Sequence, residues 1–365
     1  MVRASASVAI GAEIVSALPA AAQNQNYYPP GNVLNFGADP TGQQDSAAAI
    51  QAAINYASST SIGGVYVPGG VYLVDQPLCL PTQIKLHGDG IRSVIKCNFG
   101  SRTKIPDVSD VAGGVALAYP PMIYNAVPIS YWSIQDIQFY GNNLNAYGAW
   151  FAQAYYGNLR NVYFQFTGQR PYTAIGSTFT NLSQVSFYGC GDGVICFDCQ
   201  GFALDTVSFE RNAGRYSFQW RVSQVGYGPL DMRNIWLENS SSNYNSIGYI
   251  GLGGYNIFGR SFLAANASSN AALQLIHIFD DNDALTVDGL SMPSITAHGI
   301  DIGQLSDLPN LHYYIGKNAT GNAISGSIHL SNVSNNSGKT VNVNIGSSTN
   351  GTLATTLPNT VTSLQ

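Results

Sequence analysis

Glu210 and Glu238 hold the same place in two copies of one short pattern, each directly after an apolar–x–apolar pair: Val207-Ser-Phe209 in one copy, Ile235-Trp-Leu237 in the other. Two carboxylates held side by side can divide acid and base roles, because each charge raises the cost of ionising the other. A separation of ~5–5.5 Å suits a retaining glycosidase, and ~6.5–9.5 Å an inverting one. The opposing reading is structural, with Arg211, Arg215 or Arg233 neutralising the pair. Asp192, in Cys190-Gly-Asp-Gly193, is the third catalytic candidate, ahead of Asp198, Asp205 and Asp231. The Asp280–Asp283 cluster reads as a loop, with cation binding as the alternative. Lyase chemistry would need a base beside the sugar C5 proton and a cation such as calcium to neutralise the uronate. Lys is nearly absent from the central stretch, so Arg211, Arg233 or a Tyr would have to act as that base; this favours hydrolysis, with no cofactor and no metal.

The elements that must position these residues are visible as a repeat. An apolar residue, two others, Val or Ile, one residue, then Phe or Leu occurs at Ile134–Phe139, Leu159–Phe164, Leu182–Phe187, Leu204–Phe209 and Met232–Leu237, with a weaker copy at Val287–Met292. The first five begin 25, 23, 22 and 28 residues apart. A period in the low twenties with one short strand per unit is the signature of a solenoid whose coils each add a strand to a parallel sheet. The Val/Ile and the Phe/Leu two residues later then face inward and stack on their counterparts one coil away. An antiparallel sandwich would show tight hairpin turns between copies; connections of 15 to 20 residues instead leave room for the rest of a coil. The fold class is therefore all-β, a right-handed single-stranded parallel β-helix.

In that register the outward positions form columns. Before the Val/Ile stand Asp136, Asn161, Gln184, Thr206 and Asn234; between the apolar pair stand Gln138, Tyr163, Ser186, Ser208 and Trp236; after it stand Tyr140, Gln165, Tyr188, Glu210 and Glu238. None of the fifteen is Lys or Arg. Aromatic faces stack on sugar rings, and amides and carboxylates bond their hydroxyls, so Tyr140, Tyr163, Gln165, Tyr188, Trp236 and Asp136 are the candidate contacts for a long saccharide. An ordinary solvated sheet face is the alternative.

Composition agrees with a neutral, hydroxyl-rich partner. Charged residues are 10% of 365, against roughly 25% in an average soluble protein. A net charge of −5 leaves no basic stripe for nucleic acid. No run of ~18 apolar residues is present to span a bilayer. Five cysteines (79, 97, 190, 196 and 199) fit no paired zinc pattern and read as small core residues. Residues 1–22 admit two readings: a secretory signal cut before Gln23, although Glu13 interrupts its apolar run, or a short helix with Val8, Gly11, Val15 and Leu18 along a seam between copies.

Residues 32–90 resemble the start of the pectate-lyase-like β-helix superfamily, which includes many phage tailspike depolymerases. The resemblance is carried by Val33–Gly42, Asp45–Ile54, Gly63–Val74 and Ile84–Gly90, four segments in order. The same residues make physical sense: Asp45 or Ser46 can cap a helix whose apolar face is Ile50, Ala53, Ile54 and Ala57, suited to closing the open end of a solenoid. The expected organisation is a leader or attachment segment at 1–31, an N-terminal cap and first coils at 32–90, a central β-helix at 91–300, and C-terminal coils or a small β region at 301–365. The resemblance implies a homotrimeric depolymerase that hydrolyses a bacterial capsular or lipopolysaccharide chain, located on a virion tail or secreted. The alternatives are a secreted pectin-type lyase or hydrolase, and a glycan-binding adhesin or structural spike without activity.

Overall fold

Each of the five strong copies of the repeat forms one strand of a single long parallel sheet, in a computed structural model that describes residues 29–99, 104–108, 117–213, 217–221 and 229–238, with backbone alone at 221, 237, 238 and in the strands between 248 and 361. The strands Ser133–Tyr140, Asn158–Gln165, Asn181–Tyr188, Phe202–Glu210 and Leu230–Glu238 lie next to one another in chain order. Phe164 is in register with Phe139 on one side and Phe187 on the other; Val162 likewise pairs with Ile137 and Val185. The four rings Phe139, Phe164, Phe187 and Phe209 stack at centroid spacings of 5.2, 5.4 and 5.3 Å and are fully buried. Each such burial contributes ~1.5–3 kcal/mol.

One feature of the strand departs from simple alternation. Leu159 and Val162 are three residues apart and should face opposite ways on a straight strand. Both are buried because the residue before Val162, Asn161, has φ 52°, and its counterparts Asp136, Gln184, Thr206 and Asn234 have φ between 52° and 58°. The left-handed residue bends the strand at the same place in every coil, so each long strand has two arms. On the first arm the outward column, absent from the expected face, is Gln135, Arg160, Ser183, Asp205 and Arg233.

The coil is completed by a second parallel sheet running through Leu78–Cys79, Pro121–Tyr124, Tyr147–Ala152, Tyr172–Ile175, Val194–Phe197 and Phe218–Arg221. A narrow third ladder joins Ile129–Ser130 to Ala154–Tyr155 and continues as bridges to Thr178 and Gln200. Single left-handed residues make the other corners too, as at Gln153, Gly176 and Asp198. The solenoid is right-handed, the hand that strand twist imposes on parallel crossovers. Backbone pairing stays parallel from Thr41–Asp45 to Val333–Asn335 in the long sheet, and to Val341–Gly346 in the second; the last strand of each sheet, Thr360–Val361 and Thr352–Leu357, adds antiparallel. The weaker repeat copy at 287–292 and the segments 1–22 and 280–283 lie outside the described residues.

The helix Ala47–Ser59 buries Ala47, Ile50, Ala53, Ile54 and Ala57 over the first coil. Ser46 stands at its N-cap but makes no capping bond; its hydroxyl accepts from the Asp39 backbone instead. Asp45 Oδ1 accepts from Ala47 N at 3.1 Å and Asp75 N at 3.0 Å, tying helix start to strand end. At the open edge of the second sheet, the Gln51 amide mimics a missing strand: its Nε2 donates to Cys79 O at 3.0 Å and its Oε1 accepts from Cys79 N at 2.8 Å. An edge that would otherwise expose paired donors and acceptors is thereby blunted.

The bend position generates a prediction. Thr206 is β-branched at φ 58°, a conformation that costs an L residue ~1–2 kcal/mol and that Asn tolerates better. Thr206→Asn should raise unfolding free energy by about 1 kcal/mol; a melting temperature unchanged or lowered would contradict a strained bend.

Candidate functional site

The second arm of the long sheet carries a cleft. The alternation that buries Val185 and Phe187 turns Ser186 outward, and the register places Tyr163, Ser186, Ser208 and Trp236 in one column across four coils. The large rings stand at the two ends and the two small hydroxyls between them, so the column is low in the middle. The resulting cleft of about 600 Å³ is lined by Tyr163, Gln184, Ser186, Thr206, Ser208, Glu210, Asn234 and Trp236 over the buried Val185, Val207 and Ile235. Ser208 donates to Ser186 at 2.9 Å, which leaves the Ser186 proton free to turn to a ligand.

Tyr163, Glu210 and Trp236 are brought together here as the repeat anticipates, and Ser186, Ser208, Gln184, Thr206 and Asn234 join them from positions the columns held but did not single out. The Glu210 carboxylate makes no hydrogen bond or ion pair with any other described residue, and Glu210 is in register with Glu238 one coil on. Arg211, a possible neutralising partner, lies over the Tyr188 ring at 5.4 Å, and Arg233 Nε donates to Asp231 Oδ2 at 2.9 Å. Arg215 lies outside the described residues.

The remaining expected contacts sit elsewhere on the surface. Tyr140 and Tyr188 pack edge-on around Phe166, at 5.6 and 5.4 Å, on the same face but beyond the cleft lining. Gln165 Oε1 accepts from Gln138 Nε2 at 2.9 Å. Asp136 occupies the bend, accepting from Asn161 Nδ2 at 2.7 Å and facing Arg160 at 3.6 Å. Asp192 is around the corner, before the second sheet, where Arg170 Nε donates to it at 3.0 Å and Gly193 N at 2.8 Å. The distance in sequence hid this pairing: Arg170 and Asp192 are 22 residues apart, one coil, and so meet in a column of their own.

The cysteines are free thiols, four of them buried. Burial pushes Cys97 and Cys190 up to about 11, so neither ionises readily near neutrality. Among the described residues no group of three or more His, Cys, Asp or Glu is arranged to hold a metal.

With this geometry in view, the relationships of the chain fall into place. Residues 31–120 match the family described as rhamnogalacturonase A/epimerase, pectate lyase-like. The chain is a parallel β-helix whose cap and first coils are similar to this family. The pre-mature gene product 12 of bacteriophage phi29 shares the fold with a TM-score of 0.54 at 16% identity, the alignment covering 87% of this chain and 50% of that one. ORF18 of Geobacillus virus E2 does so with a TM-score of 0.53 at 15% identity, covering 87% of this chain and 61% of that one. At such identities the likeness is one of fold, and the chain spans only 50 to 61% of the length of these two proteins. No curated protein sequence matches the chain.

Of the four tryptophans, Trp132, Trp150 and Trp220 are at most 2% exposed, whereas Trp236 is 39% exposed. Acrylamide quenching of tryptophan emission should therefore fall almost entirely on Trp236 and disappear in Trp236→Phe. Quenching that persists in the variant would contradict an open cleft end at Trp236.

Proposed function

We propose that the chain binds a bacterial surface polysaccharide, capsular or lipopolysaccharide, along the cleft between Tyr163 and Trp236 and hydrolyses it with Glu210 and Glu238. The observation that carries this reading is the combination of a concave, aromatic-ended, hydroxyl-floored cleft with two glutamates in register on adjacent coils. Equivalent backbone atoms on neighbouring strands are ~4.8 Å apart, so modest divergence of the two side chains spans the separations that glycoside hydrolysis uses. One carboxyl group would protonate the departing glycosidic oxygen, and the other would act as nucleophile or activate water. Tyr163 and Trp236 would stack on sugar rings at either end and hold the chain against the serine floor. Asp192, held by Arg170 outside the cleft lining, has no part in this scheme.

The family match supports polysaccharide chemistry on this fold, and the two phage proteins support a place on a virion, with secretion as the alternative. On this reading the molecule acts outside the cell. It assembles as a homotrimer, an arrangement that would cover the ends of the solenoid. It works without nucleic acid or a bound cofactor.

Glu210→Gln and Glu238→Gln each preserve shape while removing ionisation. Each should lower polymer cleavage by ~10²-fold or more with the melting temperature unchanged. Full activity in both variants would remove the two glutamates from the mechanism. Loss of cleavage with retained saturable binding is the expected pattern.

A further inference from the structure

Resting on the polysaccharide reading of the cleft, we infer that the segment it holds is uncharged, and that uronate-bearing or otherwise anionic stretches are excluded from it. The lining offers no Lys, Arg or His among the described residues, and its one described carboxyl group is that of Glu210. The register extends this pattern beyond the cleft. The coil before contributes Gln138 and Tyr140 to the same columns, and the coil after contributes Leu263 and Ala265 opposite Trp236 and Glu238. Across these six coils the two columns beyond the bend contain glutamate and no cation.

The cations that border the face are engaged by neighbours. Lys96 lies over the Tyr140 ring at 5.9 Å, and Arg211 over Tyr188 at 5.4 Å. Arg160 donates to Gln135 at 3.1 Å and faces Asp136, while Arg233 is held by Asp231. Arg160 and Arg233 also stand on the first arm, across the bend from the cleft. A carboxylate on the substrate would thus enter a pocket whose fixed charge has its own sign. Like-charge juxtaposition at an interface is a strong source of discrimination, and no basic group in the lining offsets it. What the lining does offer is hydroxyls, amides and two aromatic rings, donors and acceptors matched to neutral sugar hydroxyls.

Chemical reduction of uronate carboxyls to primary alcohols supplies matched probes with the same backbone and linkages, differing only in charge. Binding of the full-length protein would be measured for polygalacturonate, for acidic bacterial capsular polysaccharides, for the carboxyl-reduced form of each, and for neutral O-polysaccharides. Ser186→Lys and Ser208→Lys, which place a cation on the cleft floor, would be run alongside. The expected result is that the wild-type protein binds neutral or reduced polymers at least about tenfold more tightly than acidic ones, and that the Lys variants narrow or reverse the preference. Equal or tighter wild-type binding of an acidic polymer, altered by the Lys substitutions, would overturn the neutral-segment inference and leave the cleft as a polysaccharide site. Binding that ignores both substitutions, or no binding of any polymer, would overturn the cleft reading itself.

Discussion

A parallel solenoid needs something to stop one coil sliding along the next, because its backbone ladder satisfies hydrogen bonds equally well at other registers. Here the constraint is the buried column Phe139, Phe164, Phe187 and Phe209 with the Val/Ile column beside it. A slip of one residue would turn every ring to solvent, losing ~1.5–3 kcal/mol per coil. The outward face inherits its order from this inner one. Tyr163, Ser186, Ser208 and Trp236 share a column only because Val162, Val185, Val207 and Ile235 do.

The bend adds a second constraint that is local and strained. Five successive coils place a non-glycine residue in the left-handed region at the same point, and polar side chains there bond to the preceding coil, Asn161 to the bend residue Asp136 and Asn234 to Asp205 on the first arm. The strand turns at this residue, and the first-arm cations Arg160 and Arg233 stand across the turn, outside the cleft lining. The charge character of the site is thus a consequence of backbone geometry as much as of composition.

This explains what was legible in advance and what was not. The repeat, the capping helix with its Ile50, Ala53, Ile54 and Ala57 face, and the inward Phe column follow from periodicity, which reports burial directly. Tyr163, Glu210 and Trp236 could be placed together because strand alternation holds on the second arm. The spacing of Leu159 and Val162 already carried the bend, since three residues cannot keep one face on a straight strand, but an Asn or Gln at that point reads equally well as an ordinary surface residue. Missing the bend hid the first-arm column with Arg160 and Arg233. Asp192 looked available because its partner Arg170 is one coil away, and Tyr140 and Tyr188 looked like free rings because nothing in the pattern announced Phe166 between them. The serine floor was present in the columns; its meaning depended on the size of its neighbours, which is a property of packing.

The claim on which the functional account stands is that this face hydrolyses a glycan. The most direct measurement is to incubate the protein with bacterial capsular, lipopolysaccharide and pectic polymers, following chain length together with absorbance at the unsaturated-uronate band. The account predicts shortening of at least one bacterial surface polymer with no new absorbance. Shortening accompanied by new absorbance would contradict hydrolysis by paired glutamates, and saturable binding without shortening would contradict an enzyme altogether.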